Sequence, residues 1–204
     1  LVHDLVAESG CAAVFVNYTP SPEARFPQAV EEIYIAVKWV AENGREIGVD
    51  GSRLALAGNS VGGNMSLAAA LVAEDHGGPR LRTLVLMWPV TDAGYDWDSY
   101  VKYGRQRFLT APLMKWMFGK YVSDPAQRGN DLMSPVRASG LHWELCRAVL
   151  KQAGGAQQAD GVQRRAGRFQ GRISAGRSPA TGYPRNRRWS LPVRRAAGSW
   201  VPSR

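Results

Sequence analysis

The sequence is poor in the side chains that most often do chemistry. Its 204 residues hold three histidines and two cysteines. Two cysteines, Cys11 and Cys146, do not make a disulfide framework, which excludes a small stapled scaffold. Cys11 stands before an apolar run and reads as a small buried residue. No apolar run approaches the roughly 20 residues of a membrane-spanning helix. No basic segment leads into an apolar stretch as in a secretion signal, so a cytoplasmic location is expected. The chain begins at Leu1 and not at Met, which reads as a truncated N-terminus. Lysine all but vanishes late in the chain. Residues 140–204 hold twelve arginines, one lysine and two acidic residues, a net of +11. Residues 1–139 hold 13 basic and 15 acidic residues, a net of −2. The two parts are read separately.

The first part alternates strands and helices. "CAAVFVNY" (Cys11–Tyr18) is a continuous apolar run, suited to a strand buried on both faces of a parallel sheet. "PQAVEEIYIAVKWVAENGREIG" follows at helical spacing, with Val30, Ile33, Val37 and Val40 as the apolar stripe and Ile35 and Trp39 widening it. Pro27 suits the first turn and Gly48 the stop. "RLALAGN" is a short strand, "GGNMSLAAALVAEDHG" a helix of small residues ended by Gly77 and Gly78, and "LRTLVLMWPV" a third strand. Strand, helix, strand in this order predicts a parallel sheet. In "FLTAPLMKWMFGKYV", Thr110 is the expected N-cap, and Leu113, Met114, Met117, Phe118 and Tyr121 form a stripe facing either the core or a pocket.

From Gly140 the pattern fails. Leu, Ile, Val, Phe and Met number 10 in the last 65 residues, against 39 in the first 139. Low apolar content with high net charge leaves too little burial to offset chain entropy, so 154–204 is expected to be mostly disordered.

The chemistry-bearing motif is Gly58-Asn59-Ser60-Val61-Gly62, a G-x-S-x-G between a strand and a helix. In such an elbow the turn is so tight that the serine takes a strained backbone conformation. Bulky side chains at 58 and 62 are expected to collide with each other and with neighbouring chain. The turn lifts Ser60 Oγ over the carboxyl end of the strand and aims the Val61 N–H at an oxyanion, helped by the positive end of the helix. A dinucleotide fingerprint needs G-x-G-x-x-G, and a phosphate loop needs a following lysine; neither is here.

"VNYTPSPEARFPQAVEE", "WVAENGREIGVDGSRLALAGNSVGGNMSLAAAL", "LVLMWPVTD" and "FLTAPLMKWMFGKYVSDPAQR…SPVRAS" resemble, in order, consecutive blocks of the hormone-sensitive-lipase-like esterases, a branch of the α/β hydrolases. The resemblance covers residues 1–139. It implies an α/β fold: a partial α/β-hydrolase domain with a parallel central sheet and a helical cap segment at 93–130; composition adds to it a basic, largely disordered tail at 140–204. It implies a serine carboxylesterase or lipase-like hydrolase acting on a small-molecule ester through an acyl-enzyme at Ser60, with no cofactor and no metal. By the same resemblance Asn59 stands where the family often has Asp, and Gly62 and Gly63 match its double glycine.

Other family features are not found. The H-G-G-G segment that supplies oxyanion donors lies upstream of the first block seen here, which leaves Val61. The D-x-L-R-D-like acid block and the G-x-x-H-x-F-like histidine block are missing after "SPVRAS". An out-of-frame reading of a GC-rich gene would account for the arginine-rich tail. His3 falls in an expected surface helix, His76 at the far end of the helix that Ser60 opens, and His142 past the junction. Asp92 suits loop hydrogen bonding better than a triad. No residue is identified as the activator of Ser60, so impaired activity is expected. Two alternatives stand beside the esterase: a non-catalytic hydrolase-fold protein, and an anionic-polymer binder using the tail arginines with Phe169, Tyr183, Trp189 and Trp200. The tail reads as solvated, and nucleic acid is not the expected partner. The sequons at Asn17 and Asn64 fall in expected core elements and are discounted.

Overall fold

A computed structural model of the chain describes residues 1–105 and 108–138. The expectations for the tail, for Cys146 and for His142 lie outside those residues.

Among the described residues are five α-helices and two strands: α1 (Val2–Ser9), α2 (Gln28–Asn43), β1 (Leu54–Asn59), α3 (Val61–Asp75), β2 (Leu81–Met87), α4 (Asp98–Tyr103) and α5 (Ala111–Tyr121). β1 and β2 pair in parallel, with Ala57 opposite Val85 and Asn59 opposite Met87. The α3 crossover joins them, as the strand–helix–strand pattern predicted.

α3 is the centre of the molecule. Ten of its fifteen residues are buried, most of them small. A helix apolar on all sides must be covered on all sides, and small side chains let its neighbours come close. On one side Leu67 and Ala70 pack with Val37 of α2 and with Leu81, Leu84 and Leu86 of β2. On the other, Met65, Ala68 and Val72 meet Ala29, Val30 and Tyr34 of α2, and Leu132. Leu67, Leu84 and Leu86 are fully buried, and truncating such a leucine to alanine costs about 2–5 kcal/mol.

Gly48, expected to stop α2, instead closes a 3-10 turn, Gly44–Ile47, that follows the end of α2 at Asn43. Gly48 and Gly77 take left-handed φ of 73° and 74°. The Gly78 N–H reaches back to the Ala73 carbonyl at 2.7 Å, closing α3 with a glycine cap. Thr110 Oγ1 accepts from the Leu113 N–H at 3.3 Å at the start of α5.

Several expectations are corrected. Residues 11–18 form no strand, and Val14 and Phe15 are 50% and 75% exposed. A doubly buried strand needs a ladder beside it and layers above and below; among the described residues nothing provides them. Cys11 and Asn17 are accordingly exposed. Ile35 and Trp39 do not widen the buried α2 stripe; both are exposed. β2 stops at Met87, before the expected Val90, because Trp88 turns to φ 47°. On α5 only Met114 and Phe118 are buried, with Tyr121 packed beside them, while Leu113 and Met117 are exposed.

Candidate active site

The elbow forms where the sequence placed it. Ser60 lies between the last residue of β1 and the first of α3, at φ 53° and ψ −116°. A non-glycine residue there is strained by about 1–3 kcal/mol and persists only where surrounding structure fixes it. Here the fixing is backbone hydrogen bonding. The Ser60 N–H donates to the Met87 carbonyl at 2.9 Å, continuing the sheet ladder one residue past the strand. Its carbonyl accepts from Gly63 N–H at 3.0 Å, Asn64 N–H at 3.2 Å and Val90 N–H at 3.2 Å. β2, the chain leaving it and the first turn of α3 therefore hold the two peptide units that flank the Ser60 α-carbon.

The glycines divide differently from expectation. A Cβ on Gly58 would press into the Gly62 carbonyl and stand 2.6 Å from the Gly63 nitrogen. A Cβ on Gly63 would stand 2.8 Å from Pro89 Cβ. A Cβ on Gly62 would meet nothing within 4 Å. The expected collision at 62 is thus corrected: the close approach is of the Gly62 backbone to Gly58, and of Gly63 to the chain leaving β2.

Val61 is exposed and begins α3, with its N–H at the positive end of a fifteen-residue helix. Asn59 is exposed opposite Met87. Of the histidines, His3 is on exposed α1. His76 follows the far end of α3, against the Tyr34 ring, roughly 20 Å along the helix from Ser60 at 1.5 Å per residue. Neither reaches the serine.

A buried polar cluster behind the elbow was largely missed by sequence reasoning. Asn64 is 4% exposed. Its Nδ2 donates to the Val90 carbonyl at 2.7 Å and the Met133 carbonyl at 3.0 Å. Asp92 is fully buried. Its carboxylate accepts from the Gly94 N–H at 2.6 Å and from Arg137 Nε at 2.9 Å. Ser134 Oγ accepts from the Ala93 N–H at 2.9 Å and lies 3.1 Å from Asp92 Oδ1. The hydrogen bond and charge of Asp92 raise the Arg137 guanidinium above its ordinary pKa. The cluster ties residues 90–94 and 133–137 to α3. Asp92 does the loop hydrogen bonding expected of it. Asn64 was seen only as a sequon; an asparagine among alanines on a buried helix was the available signal.

The family whose sequence description is "alpha/beta hydrolase fold" matches residues 1–170. The chain belongs to the hormone-sensitive-lipase-like esterases of the α/β-hydrolase family. The match runs past residue 139, where the family-like blocks end in the sequence. Among relatives of this esterase family, the ethyl acetate hydrolase of Pseudomonas putida is 34% identical over 142 residues, covering 68% of this chain and 44% of that protein. A thermostable esterase from Pseudomonas putida ECU1011 superposes with a TM-score of 0.74 at 44% identity, over 83% of this chain and 54% of that one. Esterase rPPE, solved with a serine-to-alanine and a tryptophan-to-histidine substitution, has a TM-score of 0.76 at 42% identity, with the same coverage of 83% and 54%. The chain spans about half the length of the relatives it matches. Among the described residues no helix is long and apolar enough to cross a membrane.

Proposed function

We propose that this chain carries the nucleophile half of a carboxylesterase. Ser60 Oγ attacks the carbonyl carbon of a small ester and loses its proton to a base. The Val61 N–H donates to the oxyanion. The C–O bond of the ester then breaks, the alcohol leaves, and water releases the acid from the acyl-serine. The observation that carries this reading is Ser60 itself, held at φ 53° by three elements at the carboxyl end of a parallel strand. The relatives' names support ester cleavage as the reaction class. The serine and tryptophan substituted in esterase rPPE are separated by as many residues as Ser60 and Trp88, which supports Ser60 as the corresponding serine.

No base reaches Ser60 among the described residues, and this favours impaired turnover in the 204-residue chain. It also favours the second reading, a hydrolase-fold protein without catalysis. Hydrolysis of p-nitrophenyl butyrate by the purified chain is expected at or near background. Clear turnover that Ser60→Ala abolishes would overturn the impairment while upholding the nucleophile. Turnover that Ser60→Ala leaves intact would overturn the esterase assignment to this serine.

A further inference from the structure

Helix α5 is apolar on two faces. Met114 and Phe118 are buried in the core. Leu113, Trp116 and Met117 follow one another at i, i+3 and i+4 on a second face, and all three are exposed, Trp116 at 61%. A helix that buries one stripe ordinarily turns polar residues to water on the rest. The chain leading into α5 departs from the rule in the same way. Val101 is 88% exposed and Phe108 93%, and Leu109 beside it is exposed too. Sixteen large apolar side chains are exposed among the described residues, and six of them fall within 101–117. That clustering makes a patch, which single exposed leucines elsewhere do not.

The same stretch carries charge of one sign. Residues 99–123 hold Lys102, Arg105, Arg107, Lys115 and Lys120 and no Asp or Glu. Five of the 13 basic residues of 1–139 thus lie here, and none of the 15 acidic ones. Lys102, Arg105, Lys115 and Lys120 are exposed. Lys120 Nζ stands 5.6 Å from the centre of the Trp116 ring, on the exposed face of α5. Lys102 Nζ stands 5.2 Å from the centre of the Tyr103 ring. A lysine laid along an exposed ring keeps its stem on apolar surface and its ammonium free for an anion.

We infer that residues 101–120 form a docking surface for an anionic phospholipid bilayer. Phe108, Trp116 and Met117 enter the boundary between headgroups and acyl chains, and the lysines of α4 and α5 meet the lipid phosphates. Two features select lipid over a protein. A phenylalanine standing almost free in water enters a fluid bilayer without a fitted cavity, which a protein partner would have to offer. The basic charge is spread over the whole patch and is not paired at one point, which suits a surface of many equivalent anions. The inference does not depend on what Ser60 does.

The test has to separate this surface from the arginines of 140–204, which attract anionic lipid by charge alone. In the full chain with Cys11→Ser and Cys146→Ser, a single cysteine carries a polarity-sensitive fluorophore. It is placed at Met117→Cys in the patch, or at Ser52→Cys in the exposed turn at the opposite end of β1 from Ser60. Vesicles are phosphatidylcholine alone, or phosphatidylcholine and phosphatidylglycerol in equal parts, at about 0.15 M salt. With the mixed vesicles the label at 117 is expected to shift to the blue and to be quenched by nitroxide-bearing lipid, while the label at 52 does neither. Lys115→Gln with Lys120→Gln is expected to raise the lipid concentration at half-response by about 10-fold or more. Phe108→Ser with Trp116→Ser is expected to abolish the quenching at 117. All four side chains are exposed, so far-UV circular dichroism is expected to be unchanged. Vesicle binding that leaves the 117 label in water, or that affects 52 and 117 alike, would overturn the docking surface. An equal response to phosphatidylcholine alone would overturn the choice of anionic lipid. A blue shift at 117 that grows with protein concentration in the absence of lipid would assign the patch to a second copy of the chain and overturn the proposal as well.

Discussion

The sharpest test of the architecture is removal of the Asn64 side chain. Its two donated hydrogen bonds end on the Val90 and Met133 carbonyls. Val90 is the residue whose N–H holds the Ser60 carbonyl. Asn64 thus closes a ring: α3 holds Val90, Val90 holds Ser60, and Ser60 opens α3. Asn64→Ala strips both carbonyls of this donor at a site only 4% exposed. Leaving a buried acceptor unsatisfied costs about 1–3 kcal/mol. Two such losses amount to about 2–6 kcal/mol, a large part of the 5–15 kcal/mol typical of a domain. The assay is urea unfolding followed by far-UV circular dichroism, comparing midpoints at matched slope.

Asn64→Asp separates hydrogen bonding from packing, because the shape is kept. A carboxylate there faces two carbonyl oxygens and has no proton to give. The charged form is disfavoured, so the folded-state pKa lies above the unfolded value of about 3.9. The folded state then binds more protons than the unfolded one across that interval, and stability falls as pH rises through it. The gap between Asn64→Asp and wild type is expected to be wider at pH 7 than at pH 4. A loss below about 0.5 kcal/mol in Asn64→Ala, or a gap independent of pH in Asn64→Asp, would refute the ring as a source of stability.

Two glycines of the elbow give a contrasting pair. Gly58→Ala is expected to destabilise strongly, by at least the 1–3 kcal/mol of an overpacked core, since its neighbour is backbone and cannot turn aside. Gly62→Ala has open space and sits in a helix, so it is expected to be neutral or to add up to about 1 kcal/mol; thermal melts of the two variants decide the order. Glu32 supplies a pH-dependent tether. Burial would raise its carboxyl, but the Thr19 N–H at 2.6 Å, with Gln28 and the Thr19 hydroxyl, holds it below the ordinary 4.5. A lowered folded pKa gives stability that is present above 4.5 and lost as pH falls below it. The urea-midpoint difference between wild type and Glu32→Gln is therefore expected to shrink from pH 6 to pH 3.5, and an equal difference at both would refute the tether.

What the sequence made legible was local. The elbow was readable because G-x-S-x-G encodes one tight turn whose sterics need only five residues. β1, α3 and β2 were readable because their burial is supplied by each other, through Leu67, Leu84 and Leu86. Residues 11–18 were misread for the opposite reason. Their apolar run states a demand for neighbours, and periodicity cannot say whether the neighbours are present. The same holds for Ile35, Trp39, Leu113 and Met117, apolar residues that the described chain leaves uncovered. The Asn64–Asp92–Arg137 cluster was hidden for a third reason. Its members lie 28 and 45 residues apart in sequence, and polar side chains at such distances carry no spacing rule. Yet it is this cluster, and not the motif, that fixes how residues 90–94 and 133–137 lie against the serine's helix. The motif specifies a strained turn; the strain survives because polar residues distant in sequence hold its flanks. A sequence carrying G-x-S-x-G without a buried donor at the Asn64 position would lack that support, and its serine would be expected to relax toward an ordinary helix start.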